Sequence, residues 1–271
     1  MEGGARQWPL GYVPVGVAAI YALRLLLDAL PGLSPAAAQV VFDVLVIAVP
    51  VGLAAAAHAA RPRMFGARRM RITPGRAALW IFLGSVLTTI ASAIYIVAFD
   101  VNGHLWITDQ SPSGTQAVVL GVTAVTLVPV AEEVFWRGFV HRALRTHLPL
   151  WPAVALSASL FGLAHWVAGD DFSTVAPRVF YGVLLALLLE RTGSLYPGIV
   201  AHAYVNVPLF AFFVPSVAWL PPLILLVALI VAVAVSVDDE RRKHPRTGPQ
   251  VRLGERAMGA HAHARGRLGP I

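Results

Sequence analysis

The sequence predicts an all-α, polytopic membrane bundle of about eight transmembrane helices, with both termini cytoplasmic. Three observations carry that class. Of the 271 residues, 57% are hydrophobic and only 13% are charged, about half the charge of a soluble domain. Uncharged runs close to the ~20 residues that cross a bilayer recur along the whole length. The net charge is +7, and its cationic residues gather in the connection 61–76 and in the tail after Val237. That placement suits cytoplasmic loops at anionic lipid and argues against nucleic-acid binding.

The eight apolar segments run roughly over 10–30, 37–60, 77–99, 116–137, 150–168, 177–190, 195–213 and 216–237. Helix is the expected conformation, because backbone groups in lipid must pair within the segment. The first segment follows "MEGGARQWPLGYVPVG", which lacks a basic n-region leading to a small-residue cleavage site, so it is expected to be a retained helix and not a signal peptide. "PGLSP" (31–35) is a turn, "RPRMFGARRMRITPGR" (61–76) carries six arginines, and "RTGSLYPG" (191–198) is a short connection. Placing the arginine-rich connection inside puts the acidic connections 100–116 and 169–177 outside, and Arg137, Arg142 and Arg145 inside. Residues 1–237 then form one transmembrane domain. The tail 238–271 has no apolar periodicity and is expected to be disordered. The chain has no cysteine, which removes disulfides, thiolate metal sites and cysteine nucleophiles together.

Ionisable groups inside apolar helices are functional candidates, each with a plainer alternative. Arg24 and Asp28 are four apart and are expected to pair. Asp43 and His58 have no motif around them, and Asp43 is expected to bond a neighbouring helix. Arg178, Glu190 and Arg191 lie at segment ends, where they can snorkel. His141 and His147, in "HRALRTH", are expected at the interface; the histidines of "HAHAR" in the tail are given no role.

The remaining polar groups fall on three helices: Glu132, Glu133 and Arg137 on the fourth, His165 on the fifth, His202 and Asn206 on the seventh. All six suit proton transfer or oxyanion contact. Glu133 and Arg137 are four apart with the acid first, about 40° around the helix, the favoured order for a pair; Glu132 and Arg137 are about 140° apart. Arg137 is therefore expected to neutralise Glu133, leaving Glu132 unpaired by its own helix and a candidate general base. His202 and Asn206 share a face and can hold one developing negative charge. Phe161, one turn before His165, is expected to pack beside the imidazole.

"EEVFWR", "FGLAH" and "HAYVN" match EExxxR, FxxxH and HxxxN in order on successive helices. The combination resembles the CPBP family of intramembrane proteases (the Abi or CAAX-protease family, with Rce1-type prenyl endopeptidases) over roughly residues 116–210. The resemblance implies a peptide-bond hydrolase. In it Glu132 activates the water, His165 aligns it, His202 and Asn206 form the oxyanion site, and Glu133 and Arg137 support the site. A competing view of the family implies a metalloprotease, with Glu132, His165 and His202 as zinc ligands. The local H-E-x-x-H signature of zinc proteases is absent, and Asn206 fits an oxyanion site better than a ligand set, so metal-free catalysis is preferred. The implied substrate is a peptide or membrane protein, prenylated CAAX tails being what eukaryotic relatives cut. Cleavage is expected near the cytoplasmic membrane surface.

Other classes fit less well. "LGSVL" (83–87) lacks the glycine two places before the serine that a rhomboid-type GxSx nucleophile needs, and "AGDD" (168–171) departs from the aspartyl GxGD motif. A transporter would be expected to show an inverted repeat or paired broken helices, and a non-catalytic scaffold to have lost a motif residue. One geometric difficulty stands. Within these boundaries Glu132 and His202 lie toward the cytoplasmic side, while His165 lies about 22 Å along the fifth helix. Strong tilt, a re-entrant segment at 138–150, or a different boundary for the fifth helix would each close the gap.

Overall fold

A computed structural model describes residues 9–56, 70–98, 112, 114–217 and scattered positions between 219 and 234. The described residues form helices and no strand. In chain order these are α1 (Tyr12–Asp28), α2 (Pro35–Ala56), α3 (Pro74–Ala98), α4 (Gly114–His147), α5 (Leu150–Val167), α6 (Val175–Thr192), α7 (Tyr196–Val205) and α8 (Val207–Phe213). Five of them are long and apolar enough to cross a membrane, or six if α7 and α8, bent by 45°, count as one span. At 17 residues, α1 is at the short end of the ~17–25 residue range for spans. The chain is thus a multi-pass integral membrane protein. His58, the tail 238–271 and most of the segment 216–237 lie outside the described residues.

Local chemistry sets the helix ends. Ser34 Oγ accepts from the Ala37 N–H at 3.2 Å and Pro35 opens α2, the arrangement that suits an N-terminus. Gly193 closes α6 in the left-handed region, with φ +69. The Arg71 side chain lies over it, 2.8 Å from where a Cβ would stand, and the Arg71 N–H donates to Thr192 O at 2.8 Å. The start of α3 is thereby fastened to the end of α6.

The largest departure from expectation lies in α4, which does not stop near residue 137. It is interrupted at Thr126, resumes over Leu127–Glu132, winds as a π-helix over Glu133–His141, and continues to His147. A π stretch of this kind is rare and concentrates at functional sites. The expected membrane boundary at Arg137 came from the arginines that follow, but partners across the bundle accommodate them. His141, expected at the interface, is fully buried. It contacts Ser157 Oγ through Nδ1 and Glu190 Oε1 through Nε2, each at 3.0 Å. Arg145 bonds the same Glu190 oxygen at 3.0 Å and the Leu148 carbonyl at 2.9 Å. Glu190 therefore ties two helices together instead of snorkelling. Arg178 is also buried, paired with Asp170 at 2.7 Å and bonded to Thr174. Asp43, expected to bond a neighbouring helix, accepts from Gln39 on its own helix at 3.0 Å. Arg24–Asp28 pair at 3.0 Å, as their spacing implies.

The core forms where Phe135, Trp136, Phe139 and Val140 of α4 meet Phe161 of α5 and Tyr181, Leu185 and Leu189 of α6. α5 and α6 pack through small residues: a Cβ on Gly182 would stand 3.0 Å from Ala158, and one on Gly162 would stand 2.9 Å from the Val175 carbonyl. Such seams let membrane helices approach closely, where van der Waals packing replaces the hydrophobic drive of water. The outward faces stay apolar. On α3, Leu79, Phe82, Leu83, Ile90 and Ile94 are all exposed, as a lipid-facing helix requires.

Candidate active site

The extension of α4 resolves the depth difficulty. α4 and α5 form a hairpin about Leu148–Pro149, with Glu132 15 residues before His147 and His165 15 residues after Leu150. Equal arms bring the two side chains to one level, so neither a re-entrant segment nor a new boundary for α5 is needed. The shifted boundary belongs to α4, and Glu132 lies deep within that helix, not at its end.

Glu133 is fully buried and doubly held. Arg137 Nη1 donates to Glu133 Oε1 at 3.0 Å, and His202 Nδ1 donates to the same oxygen at 3.0 Å. Arg137 is fixed in turn by the Gly182 carbonyl at 3.4 Å and by the Phe161 ring, whose centroid lies 4.3 Å from the guanidinium carbon. α7 reaches Glu133 because Gly198 has no side chain; a Cβ there would stand 3.0 Å from Glu133 Oε2.

Glu132 is arranged differently. Its side chain is 22% exposed, with Oε1 3.8 Å from His165 Nε2 and Oε2 3.7 Å from His202 Nε2. Both separations exceed a direct hydrogen bond, yet one water about 2.8 Å from each partner would bridge either of them. His165 Nδ1 donates to the Phe161 carbonyl at 2.9 Å. A carbonyl only accepts, so in the neutral ring Nε2 carries the lone pair that faces Glu132. Phe161 packs edge-on to His165 at 4.8 Å between centroids, as the spacing implies.

Tyr181 joins the site without any motif to announce it. It is buried on α6, its ring edge-on to His202 at 5.6 Å between centroids, within electrostatic reach of Glu133, Arg137 and Glu132. Its hydroxyl, Glu132 Oε2 and Glu133 Oε2 are all buried without a hydrogen-bond partner. Two of these atoms belong to the carboxylates that face the His202 imidazole, a polar setting suited to water or a substrate oxygen. A lone tyrosine in an apolar helix carries no motif, which is why local sequence gives no signal for it.

The bundle thus brings together Glu132, Glu133, Arg137, His165 and His202. Asn206 stands at the α7–α8 bend, where its Nδ2 donates to the Ala124 carbonyl at 2.8 Å and ties that bend to the interruption in α4. Among the described residues, no group of three or more His, Asp or Glu side chains is placed to hold a metal ion.

Compared with known proteins, residues 114–208 match the family model described as type II CAAX prenyl endopeptidase Rce1-like. The match starts with α4 and takes in every residue of the three motifs. No curated protein and no solved structure matches the chain.

Proposed function

Residues 114–208 being an Rce1-like domain, we propose that the protein is an intramembrane endopeptidase in which Glu132 activates the hydrolytic water. The observation that carries this is the Glu132 carboxylate standing between two imidazole Nε2 atoms at 3.8 and 3.7 Å, on helices far apart in sequence. Glu133, one residue on, is consumed by Arg137 and His202 and has no such freedom.

In the proposed reaction a water donates one hydrogen bond to Glu132 Oε1 and the other to His165 Nε2, both acceptors. Its oxygen lone pair is left facing the scissile carbonyl. Attack forms the carbon–oxygen bond as Glu132 takes the water proton. The negative charge moves to the former carbonyl oxygen, where His202 Nε2–H receives it. His202 already donates from Nδ1 to Glu133, so a ring that also donates from Nε2 holds both protons. The two cations, Arg137 and His202, then balance the two carboxylates, Glu133 and Glu132. The Tyr181 hydroxyl, buried beside His202 without a partner, and the amide hydrogen of Asn206 that Ala124 does not take are the further donors this reading assigns to the oxyanion. Glu132 next passes its proton to the leaving nitrogen, the carbon–nitrogen bond breaks, and an acid and an amine leave.

The proposed chemistry uses no metal. The substrate is a peptide or a membrane-protein segment. The test is cleavage of a fluorogenic membrane-peptide library by purified protein beside Glu132→Ala and His165→Ala. Loss of cleavage in both variants is expected, and equal cleavage by all three proteins overturns the assignment. Full activity in chelator-treated protein, with no metal detected by mass spectrometry, is expected; activity that returns only with added zinc overturns the metal-free mechanism.

A further inference from the structure

A second buried polar cluster lies outside the reacting groups, and it crosses the α4–α5 hairpin. His141 of α4 is fully buried, with Nδ1 3.0 Å from Ser157 Oγ of α5 and Nε2 3.0 Å from Glu190 Oε1 of α6. Arg145 bonds the same Glu190 oxygen. Ser157 Oγ donates its one hydrogen to the Val154 carbonyl at 3.2 Å, so toward the imidazole it accepts, from Nδ1–H. A carboxylate only accepts, so Nε2–H donates to Glu190. The sequence of contacts Ser157–His141–Glu190 is that of a hydrolytic triad, but the ring is reversed, with the serine on Nδ1. Ser157 is also buried, and its hydrogen is taken by a carbonyl. The cluster presents no nucleophile; it ties three helices together.

The place of this tie along the hairpin matters to the site. His141 lies nine residues after Glu132 on α4, and Ser157 lies eight residues before His165 on α5. On both arms the site is thus about two to two and a half turns away. The stretch Glu133–His141 is the π-wound part of α4. Arg137 and His202 hold its first residue, and Ser157 and Glu190 hold its last. A π turn takes more residues than an α turn, because its bonds run from i to i+5. Relaxing this stretch to α winding would turn Glu132 about the α4 axis relative to His141, away from His165. The close seam at Gly162 and Gly182 already fixes α5 against α6. The His141–Ser157 bond is what joins the π-wound arm to the arm that carries His165.

We propose that His141 is a positioning residue for the chemistry at Glu132. Through Ser157 it holds the level and rotation of the π-wound arm against α5, so that Glu132 Oε1 and His165 Nε2 stand 3.8 Å apart, a separation that one water bridges. The bond to Glu190 anchors the imidazole, and the bond to Ser157 sets the register. Losing that register misplaces the attacking water without removing a substrate contact, so it lowers kcat and leaves KM in place. The consequence for catalysis rests on the proteolytic function proposed above; the register itself does not.

The two ring bonds can be separated by substitution. An asparagine amide stands where Nδ1 stands and keeps a donor toward Ser157; a glutamine amide stands where Nε2 stands and keeps a donor toward Glu190. In cleavage of the fluorogenic membrane-peptide library, His141→Asn should keep kcat within about threefold of the unsubstituted protein, while His141→Gln should lower it about 100-fold with KM unchanged. Ser157→Ala leaves the Glu190 bond intact and should behave as His141→Gln does. The natural absence of cysteine allows a readout that needs no activity. Spin labels at Val122→Cys on α4 and Val167→Cys on α5, both exposed, report the separation of the two arms by pulsed electron paramagnetic resonance. His141→Asn should reproduce the unsubstituted distance distribution; His141→Gln and Ser157→Ala should shift or broaden it. Unchanged distances in all three variants overturn the proposal. So does a kcat lost equally in both His141 variants and in step with thermal stability, the mark of a structural role alone. If the unsubstituted protein cuts no peptide, the proteolytic function is overturned, and the distances alone decide whether His141 sets the register.

Discussion

Replacing Arg137 by methionine tests the electrostatic design of the site. The Arg137–Glu133 pair is almost wholly out of solvent, with side chains 3% and 0% exposed and 3.0 Å between the charged atoms. Removing one partner of such a pair typically costs about 3–5 kcal/mol, because a buried charge is left uncompensated. Arg137→Met also loses the bond to the Gly182 carbonyl and the Phe161 ring contact, the latter worth about 0.5–2 kcal/mol. His202 still donates to Glu133, which holds the total toward the lower end, about 3–4 kcal/mol. Glu133→Gln with Arg137→Met removes both charges and relieves the largest part of that penalty. The double variant should therefore be more stable than Arg137→Met by about 2 kcal/mol, roughly 30-fold in the unfolding equilibrium. The assay is reversible unfolding in mixed micelles, with all four proteins of the cycle measured under one condition. A double variant less stable than the single would refute the assignment of Glu133 as the carboxylate that Arg137 neutralises.

Three further outcomes follow from named contacts. Tyr181→Phe keeps the ring against His202 and removes only the unpaired hydroxyl; kcat should fall about 100-fold with KM nearly unchanged, as for loss of one oxyanion donor, and unfolding should not weaken. Gly198→Ala puts a methyl 3.0 Å from Glu133 Oε2 and should cost about 1–3 kcal/mol in thermal or denaturant unfolding, with activity falling in parallel as α7 moves away from α4. Glu190→Ala leaves His141 and Arg145 without their shared acceptor and should destabilise by about 1–3 kcal/mol, measured by unfolding, far from the reacting atoms.

Much of the site was legible because it depends on spacing within a helix. The four-residue interval fixed the Glu133–Arg137 pair and the Phe161–His165 contact, and both survive the π winding of α4. The freedom of Glu132 followed from the same reasoning. What was not legible depends on partners distant in sequence. The burial of His141 and Arg145 rests on Glu190, 49 and 45 residues away, so the run of basic residues after Arg137 resembled a membrane boundary. Asn206 shares its helical face with His202, yet its bond goes to Ala124, 82 residues earlier. The π winding leaves no mark in residue type, since the aromatic residues that fill it would suit an α-helix equally well.

The α4–α5 hairpin behaves as a calliper whose two arms must be equal in length. Inserting one residue on either arm between Glu132 and His165 would move one jaw by about 1.5 Å and turn its side chain by about 100°. The water-sized gap between carboxylate and imidazole tolerates neither shift. Natural variation in length should thus be barred from residues 132–165, the Leu148–Pro149 turn included. The connection between α5 and α6, which sets no distance between reacting groups, is free to vary in length.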